Sequence, residues 1–139
     1  MIVSPSKSAR AGAGLSGLLL LAACATSHQE ERINAVKDFV EVAGLPEVES
    51  IDIFGGLEQE VLNDEYVIVS SRKQDFLLEY ALHCTEDPFT GRIKPDVRHD
   101  ARRIYARTDT FRGCRISALY EVTPGQVEEL RELGTAPGE

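Results

Sequence analysis

Tryptophan is absent from this sequence, and only four tyrosines and five phenylalanines carry the aromatic content. That weighs against a platform on which sugar rings would stack. Its three cysteines, Cys24, Cys84 and Cys114, include no Cys-x-x-Cys pair. The spacing that lowers one thiol's pKa for redox exchange, or pre-forms half of a zinc site, is therefore missing. No Gly-x-Ser-x-Gly elbow occurs, and neither Gly55-Gly56 nor the glycines from Gly12 to Gly17 lead into the lysine of a phosphate-binding loop. Positive charge is in the minority, with 15 lysines and arginines against 23 acidic residues and a net charge of −8. Such a chain is a poor ligand for nucleic acid. A long apolar run is also lacking: the stretch at residues 15–25, interrupted by Ser16 and Gly17, falls well short of the roughly 20 residues that span a bilayer.

That short run is informative because of its setting. Lys7 and Arg10 precede it, no acidic residue occurs before Glu30, and small residues close it. A basic region, an apolar region and a small-residue cut site make a secretory leader. Its end, Leu21-Ala22-Ala23-Cys24, resembles the lipobox of bacterial lipoproteins. The resemblance implies that the Cys24 thiol receives a diacylglycerol, that the leader is cut just before it, and that the new amine is acylated. Two or more acyl chains hold a protein on a bilayer, since each buried methylene adds about 0.8 kcal/mol. Ala25 stands where many such proteins carry an inner-membrane retention aspartate, so the resemblance favours the outer membrane, with the domain facing the periplasm. The alternative is an ordinary leader cut at an Ala-x-Ala site, with Cys24 incidental.

Cleavage before Cys24 removes 23 of 139 residues and leaves 116, with both basic residues of the leader gone and a net charge of −10. This is enough for one domain with a core of its own. With Cys24 committed to lipid, Cys84 and Cys114 are an even pair in an oxidising compartment, and a disulfide between them is expected. It closes a loop of about 30 residues, worth roughly 3 to 4 kcal/mol in the chain-entropy model.

The expected organisation is a leader over residues 1–23, a lipidated tether over 24–28, a single domain over 29–133 and a flexible tail over 134–139. Residues 29–43 read as a helix, with Ile33, Val36, Val40 and Ala43 as the apolar stripe, Ser27 and Glu30 as a capping box, and Gly44 and Pro46 as the stop. Residues 48–54 read as one strand before the Gly55-Gly56 turn, whereas residues 57–62 suit either a helical turn or an edge strand. Residues 66–71 and 76–82 read as a hairpin, although the second run also suits a helix. Further strands are expected at 104–106 and 116–122. Thr123 then caps a terminal helix, with Pro124 at its first position, Gln126 at its third, and Val127, Leu130 and Leu133 as its stripe. The fold class is α+β: a small antiparallel sheet with an N-terminal and a C-terminal helix and one disulfide.

Val48-Glu-Ser-Ile-Asp-Ile, Phe76-Leu-Leu-Glu-Tyr-Ala-Leu-His-Cys84, Asp100-Ala-Arg-Arg-Ile104 and Cys114-Arg-Ile116 together resemble an uncharacterised family of small proteobacterial exported proteins. The resemblance implies structural cysteines and brings no activity with it.

Candidate chemistry is sparse. His83, Cys84, His99 and Cys114 supply zinc-ligand types without ligand spacing. The carboxylate pairs Glu58/Glu60 and Glu128/Glu129 suit solvated edges. No catalytic residue, resident metal or cofactor is assigned. The charge feature that stands out is basic: Arg92, Lys94, Arg98, Arg102, Arg103, Arg107, Arg112 and Arg115 against Asp96, Asp100 and Asp109, a local balance of +5. Its plainest role is to neutralise the acidic N-terminal helix. The sharper one is a patch gripping the phosphates of lipopolysaccharide or an acidic protein. The function expected is a membrane-anchored, non-enzymatic binding or envelope-structural module; the other candidate is a small envelope enzyme with His83 or His99 as base.

Overall fold

A computed structural model of the chain describes residues 19–72, 74–85 and 95–136, with side chains from Ser27 onward. Helix α1 spans Leu19–Ala43, and α2 spans Pro124–Gly134. Between them lie β1 (Glu47–Val48), β2 (Ser50–Asp52), β3 (Glu58–Val61), β4 (Tyr66–Ser71), β5 (Gln74–Tyr80), β6 (Arg103–Tyr105), β7 (Thr110–Phe111) and β8 (Cys114–Val122). The central antiparallel sheet runs β1-β8-β5-β4-β3, with β7 on β8, while β2 and β6 form a separate ribbon. This is the expected α+β class with two helices and one disulfide.

Side-chain alternation divides the sheet into two buried faces. Tyr66, Ile68, Leu77 and Val122 meet Ile33 and Val36 of α1 and Val127 and Leu130 of α2. Val67, Val69, Phe76, Leu78, Tyr80 and Leu119 face the other way and pack on Ile51 and Ile104 of the ribbon. A β-bulge keeps β8 in service on both faces. Glu79 pairs with Ala118 but Tyr80 with Ile116, so Ser117 is an extra residue, and Ile116 and Leu119 share the ribbon side despite their odd spacing.

The hairpin forms as expected, with β5 extended and paired along β4 from Tyr66↔Glu79 to Ser71↔Gln74. Residues 57–62 resolve to the edge strand β3, paired to β4. The capping box of α2 is present in full: Thr123 accepts from the Gln126 N–H, and the Gln126 side chain accepts from the Thr123 N–H.

β5, β6 and β8 shift by one or two residues from the expected 76–82, 104–106 and 116–122, and three boundaries differ more. In the whole chain α1 continues back through Ser27 to Leu19, so Ser27 and Glu30 form no capping box, and residues 24–28 are helical. Leu and Ala are strong helix formers, and no Gly or Pro separates Leu19 from Ala43 to stop the helix. Phe39, not the exposed Ala43, completes its buried stripe. The expected strand at 48–54 is split at Glu49, its first part in the central sheet and its second in the ribbon. The chain thereby crosses from one layer to the next. Gly134 belongs to the end of α2, buried where an added Cβ would lie 3.1 Å from both Leu62 Cβ and Val36 Cγ2. At the far end of α1, Gly44 takes φ +59° and the Leu45 N–H returns to the Val40 carbonyl at 3.4 Å, a Schellman closure sealed by buried Leu45.

Candidate functional site

Cys84 and Cys114 are joined by a disulfide, with their Cα atoms 5.7 Å apart. It ties the end of the β5 segment to the start of β8 and borders the ribbon-side core. Both sulfurs are bonded to each other, so neither is a thiolate ligand beside His83 or His99. Among the described residues no group of three His, Cys, Asp or Glu side chains is placed to hold a metal ion.

His83 sits in a different place from His99. Its Nε2 lies 3.4 Å from Glu65 Oε1, at the mouth of a cleft of about 500 Å³ between α1 and the β3–β4 turn. Gln29, Asn34 and Lys37 form the helix wall of this cleft, and Asp64 and Glu65 the opposite wall; the Gln29 amide hydrogen-bonds the Asp64 carboxylate. No hydroxyl or thiol nucleophile is among the described lining residues. Beneath α1, burial raises the pKa of Glu79, and the Tyr120 hydroxyl, donating to Glu79 Oε2 at 3.2 Å, offsets part of that rise. Burial and the Glu79 charge push Tyr120 up to about 12. The imidazole ring of His99 packs edge-on against Tyr105, 5.6 Å between centroids.

Asp109 was expected to be one of the acids offsetting the basic segment, yet it is fully buried. Its Oδ1 accepts from the His99 N–H at 2.7 Å and its Oδ2 from the Tyr105 N–H at 2.9 Å. Each carboxylate oxygen therefore satisfies a backbone donor that the short ribbon leaves over. Asp109 is a turn-building residue.

The basic residues are distributed rather than pooled. Arg98 pairs with Asp96 at 3.5 Å, and Arg107 with Glu47 at 3.1 Å. Arg115 donates to the Arg107 carbonyl at 3.4 Å. Among the described residues these partners lie on β1 and in the loops. Arg92 and Lys94 lie outside the described residues. Arg102 and Arg103 have no carboxylate within 4.0 Å among the described residues; Arg103 Nη1 donates to Ser50 Oγ at 3.0 Å, and the Arg102 guanidinium stands over the Phe54 ring at 5.7 Å.

A partner of that pair escaped the sequence reading. Arg72, in the tight turn between β4 and β5, covers the same ring at 5.3 Å and donates from Nε to the Phe54 carbonyl at 3.0 Å. Phe54 itself is 58% exposed. The signal was an aromatic directly before Gly55-Gly56, which leaves it on a turn rather than in a core. Of the carboxylate pairs, Glu60 and Glu128 both hold Arg131, fastening α2 to the edge strand β3. Cys24 lies within the helical backbone of α1. Among the described residues no helix is long and apolar enough to cross a membrane.

A model of a family of unknown function (DUF6491) matches residues 7–136, and the chain belongs to that family. No curated protein and no solved structure gives a significant match.

Proposed function

We propose that this family member is exported, anchored by lipid on Cys24, and works as a non-enzymatic binding module on the periplasmic side of the outer membrane. The observation that carries the reading is the division of the three cysteines. Cys84 and Cys114 close on each other, a bond suited to an oxidising compartment. Cys24 stands alone at the end of the leader's apolar run, in lipobox context. The family match begins at residue 7, so it takes in most of the leader and Cys24 together with the folded part. In support of a binding role, His83 has a carboxylate beside it and no hydroxyl or thiol among the described residues of its cleft, while the arginines near Phe54 are exposed.

Removal of the leader at Cys24 leaves α1 with a new first turn only five residues before Gln29, which holds Asp64. At 1.5 Å per helical residue that is about 7 Å, so the β3–β4 turn and His83 lie close to the headgroups. The test is intact mass spectrometry of membrane-extracted protein, with thiols alkylated before and after reduction. An N-terminal peptide starting at Cys24 and carrying acyl mass, together with two cysteines that react only after reduction, is the expected result. An unmodified Cys24, or a leader still attached, overturns the anchor.

A further inference from the structure

We infer that Phe54, Arg72, Arg102 and Arg103 form a docking surface for an acidic peptide segment bearing apolar side chains, presented by a periplasmic partner. This rests on the anchored reading above for the orientation of the domain, and on the geometry below for the surface itself.

The four residues come from three separate places: the turn after β2, the turn after β4, and the start of the ribbon strand β6. Phe54 and Arg102 are held by hydrogen bonds of their backbones. The Phe54 N–H donates to Asp52 Oδ1 at 2.8 Å, and the Arg102 N–H to Asp100 Oδ1 at 2.8 Å, while the Arg102 carbonyl accepts from the Ile53 N–H at 2.9 Å. Those aspartates are thus partly occupied by main-chain donors, and Asp52 Oδ2 also stands 3.8 Å from Arg72. Arg72 takes φ +49°, in the left-handed region. A side chain there costs about 1 to 2 kcal/mol relative to glycine. Its contacts to the Phe54 carbonyl and ring offset that cost, and the strained turn brings the guanidinium to the exposed aromatic.

Two guanidinium groups over one exposed ring, with Arg103 next in the chain on Ser50, combine apolar area with forked donors that match carboxylates. The chain as a whole is acidic, whereas Arg72, Arg102 and Arg103 outnumber Asp52 and Asp100 at this surface. Its position selects among anionic partners. Gln29 of α1 meets Asp64 beside the start of β4, whereas Arg72 follows the end of β4. The six intervening steps separate the anchored end from the surface by about 20 Å. Since charges are screened over about 8 Å at physiological salt, headgroups of the anchoring bilayer do not reach it. An acidic peptide in the periplasm does.

The experiment uses the full lipidated chain in phosphatidylcholine nanodiscs and a fluorescent glutamate–tyrosine copolymer as probe, followed by anisotropy. Saturable, salt-sensitive binding is expected. It should weaken about tenfold or more in R72G/R102A and in F54A, since charge-assisted contacts are lost, and persist in R107A, whose charge is already paired with Glu47. Glycine at position 72 relieves the left-handed backbone, so that variant keeps its fold; a thermal melt verifies this. Absence of saturable binding, or equal binding by R72G/R102A, overturns the surface. Binding of phosphatidylglycerol vesicles through the same residues, with none of the copolymer, overturns the peptide in favour of a lipid headgroup. An unlipidated Cys24 with copolymer binding intact sinks the anchor and leaves the surface standing.

Discussion

The two faces of the central sheet are closed by different means. On one, α1 and α2 cover Tyr66, Ile68, Leu77 and Val122 with long apolar stripes, and the layers are held by packing and the Arg131–Glu60 clamp. On the other, two strands of three residues each cover a face at least as apolar, and they are held by a disulfide at one side and a buried carboxylate beneath the loop. A helix satisfies its own backbone and brings a whole stripe to the sheet; a short ribbon leaves donors over and little area to offset its ordering entropy. The ribbon side therefore carries a covalent bond and a buried carboxylate, where the helix side has packing and the half-exposed Arg131–Glu60 pair. It is also the side that carries Phe54 and its arginines.

The largest effect should come from the packed side. Leu130, fully buried between α2 and the sheet, has no covalent substitute for its volume. Leu130→Ala is expected to cost about 2 to 5 kcal/mol in urea unfolding of the full chain. A loss below about 1 kcal/mol would mean that α2 is a loosely held cover, and the contrast between the faces would fail. Next comes the staple. Cys84→Ser with Cys114→Ser should cost roughly 3 to 4 kcal/mol in the chain-entropy model, with the ribbon amides of Ile104 and Ala106 gaining hydrogen exchange more than those of α2. Equal loosening of both faces would show that the bond stabilises the domain without regard to side.

Smaller again is Asp109→Asn. Its two oxygens accept from two different backbone N–H groups, and an amide offers one acceptor where two are needed. A loss of about 1 to 3 kcal/mol is expected, with exchange at the His99 or Tyr105 amide rising. An unchanged midpoint would move the support of the ribbon entirely to the disulfide.

How much of this was readable follows the same division. The β4–β5 hairpin and the α2 capping box are local patterns, set by neighbours within a few residues, and the sequence carries them openly. The disulfide was legible because only two cysteines remained once Cys24 was set aside for lipid. The split of residues 48–54 between two sheets was not, because nothing local at Glu49 separates a strand that continues from one that changes partner. The Ser117 bulge is hidden for the same reason: it is defined by β5, some 40 residues away in sequence. The Phe54 surface depends on Arg72 and Arg102, which lie 18 and 48 positions from the ring. The long arginine-rich segment drew attention, yet Arg98 and Arg107 are paired off, and an arginine from another hairpin supplies the missing part.

The smallest effect concerns the one carboxylate under the helical cover. Glu79 lies on the helix side with Tyr120 donating to it, Glu65 and Glu47 opposing its charge and Lys37 favouring it. Burial leads these influences, and its pKa is raised in the fold. A raised carboxylate binds its proton more tightly folded than unfolded. Its contribution is therefore complete in acid below the ordinary carboxylate value, and is lost as pH rises through the folded value. Wherever it is ionised the group is held at a disadvantage, which Glu79→Gln removes while still accepting from Tyr120. The side chain is only partly buried, so the gain should stay below about 1 kcal/mol. The variant should be the more stable protein near pH 7, and the two stability curves should converge near pH 4. A difference that stays constant across that range would assign the gain to packing and not to the charge of Glu79.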